Sequence, residues 1–138
     1  TKGDRAVKTD SHTGTRVHLH ATAVGKAYLA FLPKSRTQNI LDDVGIPEVT
    51  PKTVTDRQEL MTELEDIRER GVAFNDEEKT EGMRAVGAPI RRNDTGDVIG
   101  ALSFSAPKTR FAGERYETEV PKRIQSVAQV IGLKATYS

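Results

Sequence analysis

Two β-prone runs, Met83–Arg92 and Val98–Ser105, flank the polar stretch Asn93–Asp97, and this pairing constrains the fold more than any other feature of the chain. The turn residues include Asn, Asp and Gly, which tolerate tight backbone reversal, so the spacing predicts an antiparallel hairpin with a longer loop. Strand side chains alternate, which places Ile99, Ala101, Ser103 and Ser105 on one side of the second strand and Val98, Gly100, Leu102 and Phe104 on the other. On the first strand Met83, Ala85 and Gly87 share a side. Pairing the strands can set this small-residue patch beside two hydroxyls. One reading is a pocket floor that offers hydroxyls to a small polar ligand; the other is a solvated face, the usual setting for serine.

At 138 residues, 36% of them hydrophobic, the chain is long enough for one core, and a single domain is expected. Twenty-one Lys and Arg against 20 Asp and Glu give a formal charge of +1, so no global basic field would hold a nucleic-acid backbone. The Arg84, Arg91 and Arg92 group lacks interleaved aromatics for stacking on bases. The chain has no cysteine, which excludes a disulfide framework and thiolate metal sites, and no apolar run approaches a membrane span. It begins at Thr1 without a signal-peptide pattern, and a cytoplasmic protein trimmed to a fragment is expected.

Along the chain, Arg5–Asp10 suits a short strand, Ser11–Gly14 a turn, and VHLH at Val17–His20 an extended run. Thr22 suits a helix N-cap ahead of Tyr28, Leu29, Phe31 and Leu32, with Pro33 as the stop. Ser35 and Gln38 match a capping box for a second helix containing Ile40, Leu41 and Val44, closed by Gly45. Ile46–Thr55 reads as a loop with a brief strand near Lys52–Val54. Asp56 and Glu59 cap the clearest amphipathic helix, with Leu60, Leu64 and Ile67 as its stripe and Gly71 at its end, followed by a strand from Val72. From Glu114 to Lys134, Val120, Ile124, Val127 and Ile131 define a long closing helix. Helices and antiparallel strands in this order predict an α+β fold, with helices laid on a curved sheet.

Three other features bear on chemistry. Thr22, Ala23, Val24 and Gly25 put unblocked amides at a helix N-terminus, which attracts carboxylate or phosphate, although every helix has such an end. Asp76, Glu77 and Glu78 are better read as a solvated acidic turn than as an acid–base pair. His18 and His20 would share a strand face, but no convincing third metal ligand accompanies them. No nucleophile, base and oxyanion set can be assembled, and an enzyme is not expected.

The segments HLHATAVGKAYLAFLP, ELEDIRERGVAFNDEE and GMRAVGAPIRRNDTGDVIGALSFSAPKTRF, with the closing helix, resemble the effector-binding domain of IclR-type transcriptional regulators over Val17–Leu133. The resemblance implies a GAF- or profilin-like fold: a curved antiparallel sheet flanked by helices. Family members join such a domain to an N-terminal winged helix-turn-helix that reads DNA. Nothing here matches that half, so residues 1–138 are expected to be one effector-binding domain truncated at its N-terminus. The ligands implied are small organic or aromatic acids held between the sheet and the first helix, without cofactor or metal. By position, the resemblance assigns ligand-facing amides to Ala23 and Val24, and pocket side chains to Asn75, Met83, Ala85, Ser103 and Ser105. Asn75 stands where the family usually has Asp, and Ala85 where it often has Cys. Assembly into homodimers or homotetramers is also implied. The function expected is small-molecule sensing, with a ligand-free oligomerisation module as the alternative.

Overall fold

Thr22 opens the first α-helix. In the computed structural model, which describes residues 18–137, its backbone is extended and its Oγ1 accepts the Gly25 amide at 2.9 Å, the expected N-cap of helix α1 (Ala23–Phe31). The strand and turn expected over Arg5–Asp10 and Ser11–Gly14 lie outside the described residues, as does Val17. Within VHLH, His18 has extended torsions, but Leu19–Ala21 form a single 3-10 turn rather than a strand. Gly25 explains the turn: a Cβ there would collide with the Leu19 carbonyl, so only glycine lets the turn fold back on the first turn of α1.

Helix α2 (Lys34–Val44) starts two residues earlier than the Ser35–Gln38 box suggests, and no side chain caps it. Pro33 holds the cap position, its carbonyl accepting the Arg36 and Thr37 amides at 2.9 and 3.1 Å. Thr37, buried, donates its hydroxyl to the Leu29 carbonyl at 2.7 Å and so ties α2 to α1. Leu41 is buried as expected, whereas Val44 is exposed. The strand expected at Lys52–Val54 is instead a turn. Thr50 and Thr53 donate their hydroxyls to the carbonyls of Glu77 and Glu78, each at 2.6 Å, and these bonds replace a strand ladder. Asp56 caps α3 (Arg57–Arg70), whose Leu60, Leu64 and Ile67 are buried, and Gly71, at φ 79°, ends it.

Strands β1 (Ala73–Asp76), β2 (Met83–Arg91) and β3 (Val98–Pro107) form an antiparallel sheet in that order. Their register aligns Asn75 with Ala85 and Ala85 with Ser105, and Ala73 with Gly87 and Gly87 with Ser103. A bulge near the hairpin pairs Arg91 with Val98 while Ile90 faces Gly100, so Ile99 is the extra residue. The bulge breaks the expected alternation: Val98 joins Ala101 on the α1 side of the sheet, and Ile99 is exposed.

One core lies between the sheet and α1–α3, built on Leu29, Leu41, Leu60, Leu64 and Ile67. The other lies beneath α4 (Val120–Tyr137) and includes Val86, Phe111, Tyr116, Ile124 and Ala128. A wide π-type turn, Arg115–Glu119, leads into α4. The closing helix therefore exists, but with a different buried face. Ile124, Ala128 and Gly132 face the sheet, whereas Val127 and Ile131 are 48% and 40% exposed. Gly132 decides this, because a Cβ at that position would overlap the Arg91 carbonyl. The small face permits close approach to β2, and the bulky stripe turns outward.

Candidate functional site

The first turn of α1 sits directly on β2. A Cβ at Gly87 would lie 2.8 Å from the Ala23 carbonyl carbon and oxygen, so the missing side chain sets the spacing between helix and sheet. Beside this contact a cavity of about 380 Å³ opens, lined by Ala23, Val24, Asn75, Met83, Ala85, Ser103 and Ser105, together with Thr22, Lys79, Thr80 and Arg84. All seven residues singled out in the sequence thus border one space, drawn from α1, β1 and both strands of the hairpin. Ser103 and Ser105 are exposed on its sheet wall. Thr22 satisfies the Gly25 amide through its hydroxyl and the Lys26 amide through its carbonyl. Among the described residues the amides of Ala23 and Val24 have no acceptor. The cavity therefore combines two helix-terminal donors with two serine hydroxyls, a donor set suited to an anion or a polarised oxygen.

Asn75, in contrast, uses its amide mainly within the protein. Its Nδ2 donates to the Ala21 carbonyl at 2.5 Å, and its Oδ1 accepts the Glu78 amide at 2.9 Å. It is 5% exposed, and it clamps the 3-10 turn before α1 to the acidic turn after β1. A carboxylate there could accept from Glu78 but not donate to Ala21.

The acidic turn is not the freely solvated turn expected. Asp76 pairs with Arg84 at 3.0 Å, and Glu77 with Lys52 at 3.0 Å and Lys108 at 2.9 Å. Glu78 pairs with Lys26 at 2.8 Å. Glu77 adopts a positive φ of 64°, unusual for a side-chain-bearing residue, and is held there by the Thr50 hydroxyl on its carbonyl and the Gly82 amide on its carboxylate. Hydrogen bonds from Lys108, Gly82 and Lys52 hold the Glu77 carboxyl down at about 2. Glu78 moves the other way: burial pushes it up, although Lys26 opposes this.

Lys26 is the structural hub that sequence reasoning missed. It is fully buried, and its Nζ lies 2.6 Å from Glu63 Oε2, 2.7 Å from the Phe74 carbonyl and 2.8 Å from Glu78 Oε1. One cation thus joins α1, α3, β1 and the acidic turn. A lysine set among small and apolar helix residues is a local signal of burial, but it names no partner.

His18 and His20 do not form a metal pair. His20 is buried, its Nε2 2.8 Å from the Pro47 carbonyl, which requires the proton on Nε2; His18 is exposed. Among the described residues no group of three His, Cys, Asp or Glu is placed to hold a metal. None of the described helices is long and apolar enough to cross a membrane. A hollow of about 430 Å³ beside the hairpin tip is lined by Arg91 and Arg92, but these guanidinium groups are already engaged by the Gly96 carbonyl and Asp94. The cavity under α1 is the better candidate because its donors remain available.

Helices α1–α3 cover one face of the sheet and α4 the other, and the polar cavity opens at the N-terminus of α1. The chain belongs to the family described as bacterial transcriptional regulator IclR C-terminal, which it matches over residues 1–133. It is 36% identical over 135 residues to a Halobacterium salinarum protein named "Probable HTH-type transcriptional regulator ArcR", covering 96% of this chain and 51% of that protein. The C-terminal domain of Escherichia coli KdgR superposes with a TM-score of 0.78 at 33% identity, covering 86% of this chain and 71% of that one. Thermotoga maritima IclR superposes with a TM-score of 0.75 at 32% identity, covering 96% and 55%. The chain spans about half the length of the curated relatives it matches. Those relatives are named transcriptional regulators and repressors, not enzymes.

Proposed function

We propose that this chain is the sensor portion of a cytoplasmic IclR-type regulator and binds a small organic acid in the cavity beneath α1. DNA contact belongs to a separate winged helix-turn-helix of that regulator. The observation that carries the reading is the meeting of two unsatisfied amides, at Ala23 and Val24, with Ser103 and Ser105 around one space of about 380 Å³. The ligand carboxylate takes the amides, and the serine hydroxyls read its remaining oxygens. Asn75 and Ala85 leave the floor without a carboxylate or thiol, which lowers the cost of admitting an anion. Occupancy changes function only through differential affinity for two arrangements of a homodimer or homotetramer.

A ligand-free oligomerisation module is the competing reading, favoured by the outward stripe of Val127, Val130, Ile131 and Leu133 on α4. Calorimetry with a panel of small carboxylates, on the native chain and on the Ser103→Leu/Ser105→Leu double variant, separates the two. The sensor reading predicts saturable binding that the double variant abolishes without changing the assembly state. An absence of binding by any carboxylate, with the cavity intact in a crystal, sinks it.

A further inference from the structure

The charge balance around the cavity points to a ligand with two acidic groups. No Asp or Glu lines the cavity, and its two charged residues, Lys79 and Arg84, are both cationic. Arg84 is committed: its Nε and Nη2 lie 3.0 and 3.5 Å from the Asp76 carboxylate, its Nη1 donates to the Phe111 carbonyl, and its guanidinium stacks over Tyr116. Lys79 makes no ion pair or hydrogen bond among the described residues.

The neighbouring carboxylates do not cancel this charge. Asp76 is paired with Arg84 and Glu77 with Lys52 and Lys108, while Glu78 shares the buried Lys26 with Glu63. Glu81, on the same turn, is exposed and does not line the cavity. A run that reads as acidic in sequence therefore presents a lysine to the cavity, while the Asn75 clamp fixes the base of that turn through the Glu78 amide.

We propose that Lys79 is a specificity-determining residue that selects a short dicarboxylate over a monocarboxylate, an inference that rests on the sensor reading above. One carboxylate occupies the Ala23 and Val24 amides; the second pairs with the Lys79 ammonium, which lines the same cavity. Because Lys79 is exposed and flexible, its contribution is one of discrimination and salt sensitivity rather than of bulk affinity.

The test is calorimetry of the whole chain with succinate and glutarate against their chain-matched monoacids, butyrate and valerate, at low and high salt. Tighter binding of the diacids is expected, by about threefold to fivefold at low salt, with the margin shrinking as salt rises. Lys79→Gln should erase the margin and leave the monoacids unchanged, and Lys79→Glu should invert it. Circular dichroism checks that both variants fold, as substitution at an exposed turn residue allows. Monoacids that bind while diacids gain nothing, or a Lys79→Gln variant that weakens both classes equally, overturns the role of Lys79 and leaves the sensor reading standing. Binding by neither class, or binding that is unaltered in the Ser103→Leu/Ser105→Leu variant, overturns both.

Discussion

Asn75 Nδ2 donates to the Ala21 carbonyl across 54 residues of chain while its Oδ1 accepts the Glu78 amide, so one side chain holds together the two segments that frame the cavity. An aspartate at this position places a carboxylate against the Ala21 carbonyl and leaves that buried acceptor unpaired. Asn75→Asp is expected to lower stability by about 1–3 kcal/mol and to weaken carboxylate binding through the added negative charge. Urea denaturation followed by circular dichroism checks the first effect; an unchanged midpoint contradicts the clamp.

Lys26 is expected to be the costliest single polar position. Replacing it with Met leaves Glu63 and Glu78 facing each other without their shared cation and frees the Phe74 carbonyl. Removing one partner from a buried ion pair costs about 3–5 kcal/mol. Combining Lys26→Met with Glu78→Gln should recover part of the loss, as a double-mutant cycle of thermal melts will show.

Gly87→Ala tests the helix-to-sheet spacing. The new Cβ would lie 2.8 Å from the Ala23 backbone, so α1 must lift from β2. Overpacking of this kind costs about 1–3 kcal/mol. The displaced Ala23 and Val24 amides should also lose carboxylate affinity, whereas Gly100→Ala, where a Cβ meets only Ile90 Cδ1 at 3.8 Å, should not affect the ligand.

The helix caps, the α3 stripe and the two serines beside a small-residue wall were legible because each depends on local spacing. Asn75 entered as a pocket residue only by resemblance to a family. What stayed hidden depended on distant partners. Nothing near Lys26 in sequence indicates Glu63 or Glu78, and nothing near Thr50 or Thr53 indicates the carbonyls of Glu77 and Glu78. Likewise Val127–Ile131 and Ala128–Gly132 are both helical stripes. Side-chain size alone favours the stripe of larger residues as core, but close approach to the Arg91 carbonyl favours the face that carries glycine. The bulge at Ile99 escaped for a related reason: a strict period of two has no place for an extra residue.

His20 gives the domain an acid-sensitive contribution. Burial lowers its pKa below 6.5, opposed by the Pro47 carbonyl and assisted by the nearby charges of His18 and Lys26. The unfolded chain therefore takes up the proton first. This stability is present above pH 6.5 and is lost as the pH falls through that value toward the folded-state pKa. The raised pKa of Glu78 acts with the opposite sign, so the difference between native and His20→Gln melting curves isolates the histidine. The native chain should lose more stability than the variant between neutral and mildly acidic pH; parallel curves contradict the assignment.

The central claim is that α1 presents its first amides to a bound carboxylate. Amide chemical shifts of Ala23 and Val24, followed by heteronuclear NMR during titration with small carboxylates, test it directly. Saturable shifts at these two amides, accompanied by Ser103 and Ser105 and absent in the Ser103→Leu/Ser105→Leu variant, are predicted. Saturable binding that leaves the Ala23 and Val24 amides unmoved would contradict the account.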